Sequence, residues 1–523
     1  MKSYYNHLQS IKNDGELLAP NQKPVFRSSA IFPVLHNEKQ SAKVVFMGYW
    51  LLKRGITEIG LLLTLRNDEG EIILRKQILI DKAKAYSVSM SDFFTEPSDF
   101  VGSLELEIFS TRDLVFPYPA FVLVYFGENF STAVHTVGRI YNDIEDLKAN
   151  EEYVVRESGF DIYNNESLLP FFAFTNGPIA NRSPKISYEF LNSKNEILTG
   201  ENQLKELKPF ETRFVWLNEI TDLKKFLGDE AGSVKFGHNF EGFFPRFLAG
   251  NFQNNDNSIS ITHSYYDCSA LNDVKSYWNR KGEEFNDSSV SIPLYIKDNY
   301  YTRLAVYPIF SPSDFTLSFC FYTKEGELVT ELKDYVKITS RNNKYEQVDF
   351  GGIIAKEKLD VNRIAAVNIV CNWVDKQRIP TRVKFGLNIG LNNKVALPSN
   401  ICFAPQLGNP NILKKQSAFR WAPFLNVGKS RIAFTNSSFE KTYIKDANVK
   451  LSFHREADDK VIERTIVVKP NGIVEIDIEK DKELKVFFDG KSGWVAANAD
   501  NPFLNGFYFD FSDSGSVAAD HLF

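Results

Sequence analysis

Methionine and cysteine are scarce in this chain, with 3 and 4 among 523 residues. The cysteines Cys268, Cys320, Cys371 and Cys402 are not paired at metal-ligand spacing, and so few cannot build a disulfide framework. Buried thiols are expected instead. A dominant charge is also missing. Lys and Arg total 61 against 66 Asp and Glu, a formal net charge of −5. Such a balance supplies no broad field for nucleic acid or an anionic membrane. The most apolar stretch, Leu114 to Gly127, contains Pro117 and Pro119. It falls short of the roughly 18–20 residues that a membrane-spanning helix needs, so no membrane insertion is expected. The opening MKSYYNHLQSIKNDGELL lacks the apolar core of a secretory signal. Cytoplasmic location is the default expectation, with signal-independent export as the alternative.

The usual phosphate and cofactor motifs are missing too. Gly428-Lys429-Ser430 and Gly490-Lys491-Ser492 end like a P-loop, but Pro423 and Lys485 stand where the first glycine belongs. Without it the loop cannot wrap its amides around phosphate. There is no GxGxxG, HExxH, GxSxG or EF-hand loop, and no strand–helix alternation to host a dinucleotide. No cofactor is implied.

What is abundant is aromatic and repetitive. Phe numbers 45 and Tyr 22, which suits half-buried pleated surfaces. Four segments each read as an alternating run, a polar turn and a second run: TLRNDEGEIILRK at Gly70, EFLNSKNEILTG at Asn195, CFYTKEGELVTE at Gly326 and SFHREADDKVIER at Asp459. These are β-hairpins by pattern. Their spacings are 125, 131 and 133 residues. A proline loop follows each hairpin, at Pro117, Pro245, Pro380 and Pro502, and Gly-Ser or Gly-Trp opens a strand between the two at Gly102, Gly232 and Gly493. His135 and His263 each lie 18 residues beyond their proline and His521 lies 19 beyond, whereas the third repeat has Pro398 at that offset. Landmarks in one order at similar offsets mark a fourfold internal repeat.

Each repeat holds about seven or eight short strands in about 120 residues, which fits an antiparallel β-sandwich. Ile59, Leu61, Leu63 and Leu65 alternate and put one sheet face on a core. In the second repeat, Ile220, Leu223, Phe226 and Leu227 share a helical face. The expected fold is all-β: four tandem, diverged antiparallel sandwiches, Ig-like or jelly-roll-like. They span 25–140, 150–268, 286–404 and 413–523, after an N-terminal arm at 1–24. The links are short, so the expected arrangement is a bent rod or a compact pseudo-symmetric body.

Candidate site residues concentrate in the second repeat. His238, Arg246, His263, Tyr265 and Asp267 are the catalytic candidates, and His263 with Asp267 the metal candidates. On one strand, His263, Tyr265 and Asp267 share a face, a set able to bind metal, move a proton or grip sugar hydroxyls. The repeated His135, His263 and His521 have two readings: a strand-end hydrogen bond that holds the sandwich, or a ligand position facing a shared axis. Tyr277, Trp278 and Arg280 in a link, with Arg420 and Trp421 near the start of the fourth repeat, are candidates for an aromatic sugar platform.

The leading expectation is a non-catalytic multidomain β-sandwich protein for binding or assembly, with carbohydrate or cell-envelope polysaccharide as ligand. The alternatives are a carbohydrate-active enzyme with its site in the second repeat, and a structural subunit of a virion or surface appendage. Carbohydrate or another protein is the expected partner, with self-association through the N-terminal arm.

Overall fold

The computed structural model describes residues 26–94, 98–112, 121–135, 138, 157–163, 168–228, 230–240, 246–254, 257–266, 277–380, 383–392 and 397–523. The N-terminal arm, Asp267, Cys268, Pro117 and Pro245 lie outside them.

The chain is all-β. The first unit has eight strands: Phe26–His36, Gln40–Met47, Ile59–Asn67, Ile72–Leu79, Ala85–Ser89, Phe100–Ser110, Val122–Gly127 and Ser131–His135. Numbered by position, they form two antiparallel sheets, ordered 1-6-3-4 and 5-2-7-8. The same pair of orders recurs three more times along the chain, with Tyr265–Tyr266 added in the second unit as a fifth strand beside the first. The second set begins at Glu157–Tyr163, the third at Ser288–Pro293 and the fourth at Ala418–Phe424. The repeated landmarks therefore correspond to repeated topology. The glycine or asparagine at three hairpin turns has positive φ: Gly70 at 86°, Asn195 at 62° and Gly326 at 87°, the left-handed conformation such turns demand.

Alternation places the cores. Ile59, Leu61, Leu63 and Leu65 on the third strand are all buried. The neighbouring fourth strand, an outer edge, is exposed along nearly its whole length. Arg75 and Lys76 on it blunt edge-to-edge pairing. The helical segment of the second unit is two short helices, Leu217–Ile220 and Leu223–Leu227. The Asp222 side chain accepts from the Lys225 amide and starts the second helix after a break at Thr221.

The units close into a ring. In each, the turn joining strands 3 and 4 reaches the start of strand 5 in the next unit. Thr212 N–H donates to Asp68 O at 2.9 Å, and Ile473 N–H donates to Lys324 O at 3.0 Å. Tyr345 N–H donates to the Asn195 side chain at 3.2 Å. The fourth hairpin returns to the first unit: His454 Nδ1 meets Ala83 O at 2.7 Å, and Lys84 Nζ donates to Glu456 O at 2.9 Å. A head-to-tail contact repeated until it closes is the geometry of a cyclic oligomer, built here within one chain.

The units also share their interiors. One apolar cluster joins Phe32 and Tyr49 of the first unit, Phe171 and Ile261 of the second, and Trp421 and Trp494 of the fourth. Another joins Phe385 of the third to Phe507 of the fourth. The arrangement is the compact one, and a bent rod does not describe it. Among the described residues, no helix is long and apolar enough to cross a membrane.

Candidate functional site

The eighth strand of every unit lies toward the middle of the ring. Ile261 N–H, from the second unit, donates to Thr132 Oγ1 of the first at 2.9 Å. Ser260 Oγ–H donates to Pro398 O at 2.6 Å, joining the second unit to the third. His135 N–H donates to Asp520 Oδ2 at 3.2 Å, joining the first to the fourth. Phe403 and Phe507 pack at 5.9 Å between ring centres and join the third to the fourth.

Register explains the repeated histidines. His135 pairs with Val122, His263 with Leu248 and His521 with Phe507 across the seventh and eighth strands. In the third unit Phe403 pairs with Phe385, so Phe403 holds the histidine position. The fixed offset that pointed to Pro398 is corrected. The connection between Phe385–Leu391 and Ile401–Phe403 is longer here, and counting along a hairpin of changed length misplaces the partner.

The three imidazoles converge. His135 lies 4.9 Å from His263 and 4.7 Å from His521, ring centre to ring centre. His135 Nδ1 meets Asp520 Oδ2 at 2.6 Å. His263 Nδ1 meets Ser264 O at 3.0 Å, and Arg246 donates to His263 Nε2 at 2.9 Å. His521 Nδ1 meets Leu522 O at 2.8 Å. Burial lowers His135 to about 4 against the opposing pull of Asp520. Burial, reinforced by Arg246, holds His263 well below the usual histidine range. Both rings are therefore neutral near pH 7. Burial would raise Asp520, but its neighbours His135 and His521 and the hydrogen bonds it accepts from them hold it below the usual carboxylate range.

These side chains line a cavity of about 370 Å³. All four units contribute: His135 from the first, Arg246 and His263 from the second, Lys384 from the third, Arg420 and His521 from the fourth. Arg420 Nε–H donates to Leu504 O at 3.0 Å, which anchors that guanidinium. Lys384 Nζ lies 3.6 Å from Cys402 Sγ. Cys402, Cys320 and Cys371 are buried free thiols.

The other candidates separate from this centre. His238 sits in the second sandwich, stacked on Phe240 at 4.9 Å, and burial lowers it to about 4. The expected common face of His263 and Tyr265 is corrected. The eighth strand ends at His263, and Tyr265–Tyr266 pairs with Glu157 and Ser158 in the opposite sheet. The metal candidate His263 has both ring nitrogens engaged, and its proposed partner Asp267 lies outside the described residues. Trp421 is no exposed platform. It is buried, stacked on Tyr49 at 5.2 Å and on Phe523 at 5.8 Å, because it plugs the seam between the first and fourth units. Trp278 is 48% exposed on Tyr277–Asn279, a short strand paired with Arg378–Pro380. Arg280 is tied to Glu283 and lies over Phe285.

Sequence reasoning missed Asp520 and Lys384. Asp520 precedes His521 in the chain, but only closure of the ring brings it to His135 and Lys384 to the cavity.

A second buried polar cluster lies where the second and third units meet. Tyr307 and Tyr345 each donate O–H to Asp161 Oδ1 at 2.9 Å. Burial raises Asp161 to about 6 despite these donors.

Neither a protein-family model nor a curated protein matches this chain.

Proposed function

We propose that the chain is a non-catalytic binding protein that holds its ligand in the axial cavity. The observation that carries this reading is the convergence of polar side chains from all four units on one cavity. Few, well-placed polar groups in a preformed concavity are the general form of a ligand site.

A thermal-shift screen with neutral, cationic and anionic small molecules tests this reading, since a ligand of the folded state raises Tm. At least one class should raise Tm, and the shift should vanish when Asn505→Trp fills the cavity. Failure of every class, or shifts unaffected by Asn505→Trp, would overturn it.

The half-exposed Trp278 favours a second reading, saccharide binding on the short strand Tyr277–Asn279. A glycan array run with wild type and Trp278→Ala tests it. Hits lost in the variant support the Trp278 site, and a blank array removes it.

A further inference from the structure

We infer that the axial cavity takes a divalent transition-metal ion, with His135, Asp520 and His521 as its ligands. The inference rests on the axial cavity being the binding site and names what that site holds.

The donor set is the first argument. Among the described residues, these three side chains form a group whose ligand atoms all lie within 4.8 Å of one another. They come from two units: His135 from the eighth strand of the first, Asp520 and His521 from the eighth strand of the fourth. Two imidazoles and one carboxylate suit zinc, cobalt or nickel. Calcium takes roughly six to eight oxygens, and a single carboxylate supplies too few.

Hydrogen bonding is the second. His521 Nδ1 lies 2.8 Å from Leu522 O. A carbonyl only accepts, so Nδ1 carries the proton, and in the neutral ring Nε2 keeps a lone pair. That nitrogen lies 3.9 Å from Asp520 Oδ1. A lone pair and a carboxylate oxygen thus face each other, and a cation between them suits both. The separation is close to one Zn–N bond plus one Zn–O bond, about 4.1 Å in line and less when bent. A hydrogen-bonded staple accounts for His135 and Asp520 at 2.6 Å, but not for this pairing of two acceptors.

The groups behind the donors are the third. A metal-bound histidine typically gives its other ring N–H to a carbonyl or carboxylate, as His521 does to Leu522 O. Asp520 accepts the backbone N–H of His135 at 3.2 Å and of His521 at 2.8 Å, which orients its carboxylate before an ion arrives. On binding, the ion displaces the proton between His135 Nδ1 and Asp520 Oδ2 to solvent. His135 and His521 line the cavity, so three protein ligands leave a fourth position open to a small molecule inside it. Arg246, Lys384 and Arg420 line the same cavity. Coordinate bonds rather than a negative field therefore hold the ion. His263 stays outside the set because its Nε2 already meets Arg246.

Isothermal titration of the EDTA-stripped full chain with zinc, calcium and magnesium chlorides tests the inference, and cobalt(II) adds visible bands that report its ligation. Zinc should bind, and calcium and magnesium should not. His521→Ala changes a side chain that is 33% exposed and should fold. It and Asp520→Asn should each weaken zinc by about tenfold or more and abolish the cobalt bands. His36→Ala, at a ring stacked on Phe94 and outside the cavity lining, should change neither. If Asp520→Asn fails to fold, His521→Ala alone decides. Absence of zinc binding, or zinc binding that survives His521→Ala, would overturn the inference, as would calcium binding of equal strength. A ligand from the thermal screen that Asn505→Trp displaces, with no zinc binding, would leave the binding reading standing and remove the ion. Silence from zinc, together with a blank thermal screen, would remove both.

Discussion

Asp520 is the residue on which the centre of the molecule turns. It is buried and joins the last strand to the eighth strand of the first unit through His135. Asp520→Ala leaves a buried imidazole N–H and a backbone N–H without their acceptor. It should cost about 3 kcal/mol, read as a lower urea midpoint. The histidines set the acid limit. His135 and His238 are held near 4 in the folded state and titrate near 6.5 when unfolded. The unfolded chain binds protons first as pH falls, so their contribution to stability is lost between pH 6.5 and 4. The urea midpoint should therefore drop across that range. Asp161 acts with the opposite sign. Its folded value of about 6 exceeds the ordinary aspartate value of 3.8, so the unfolded chain ionises first and stability falls as pH rises from 3.8 to 6. Asp161→Asn keeps an acceptor for both tyrosines and removes this slope. Relative to wild type, it should gain about 2–3 kcal/mol in unfolding free energy between pH 4 and 7.5.

At the scale of elements, the hairpins do two jobs: they end a sheet and dock the next unit. Gly70 shows both. Its φ is 86°, and a Cβ there would lie 2.3 Å from Pro209 O of the second unit. Gly326 repeats this against Pro470 O of the fourth, at 2.0 Å. Alanine at either position meets positive φ and a backbone clash together. Each substitution should lower stability by about 2 kcal/mol or more and speed proteolytic cleavage at the junction it seals. The hairpins were readable from alternation and turn residues alone, and so was the helical segment near Leu223. Their docking was not, because a turn glycine looks the same whether it faces solvent or another backbone. The strand-end histidines were readable as a recurring position in three units. The third unit was misread because its last hairpin is longer, and an offset along the chain does not measure pairing across it.

At the scale of the whole molecule, the four units behave as one body because they share apolar clusters across their seams. Independent sandwiches on a string would melt in several steps. This ring should melt in a single calorimetric transition, with calorimetric and van't Hoff enthalpies agreeing. Two or more resolved transitions would show that the seams contribute little. Truncation before Ala418 should not leave a stable three-unit protein, because it strips the partners of Tyr49 and Phe385 from their seams.

Composition, alternation and the order of landmarks determined by themselves that the chain is all-β and repeats one sandwich topology four times. These are local properties, set by side-chain period and turn chemistry, and they survive wide sequence divergence. Tertiary structure alone decided that the repeats close into a ring. It also placed Trp421 in a seam and brought Arg246, Lys384, Arg420 and three histidines to one cavity. These residues lie as far apart as positions 135 and 521. Their proximity depends on the angle between successive units, which is set by many weak packing contacts at the seams and leaves no periodic mark on the sequence.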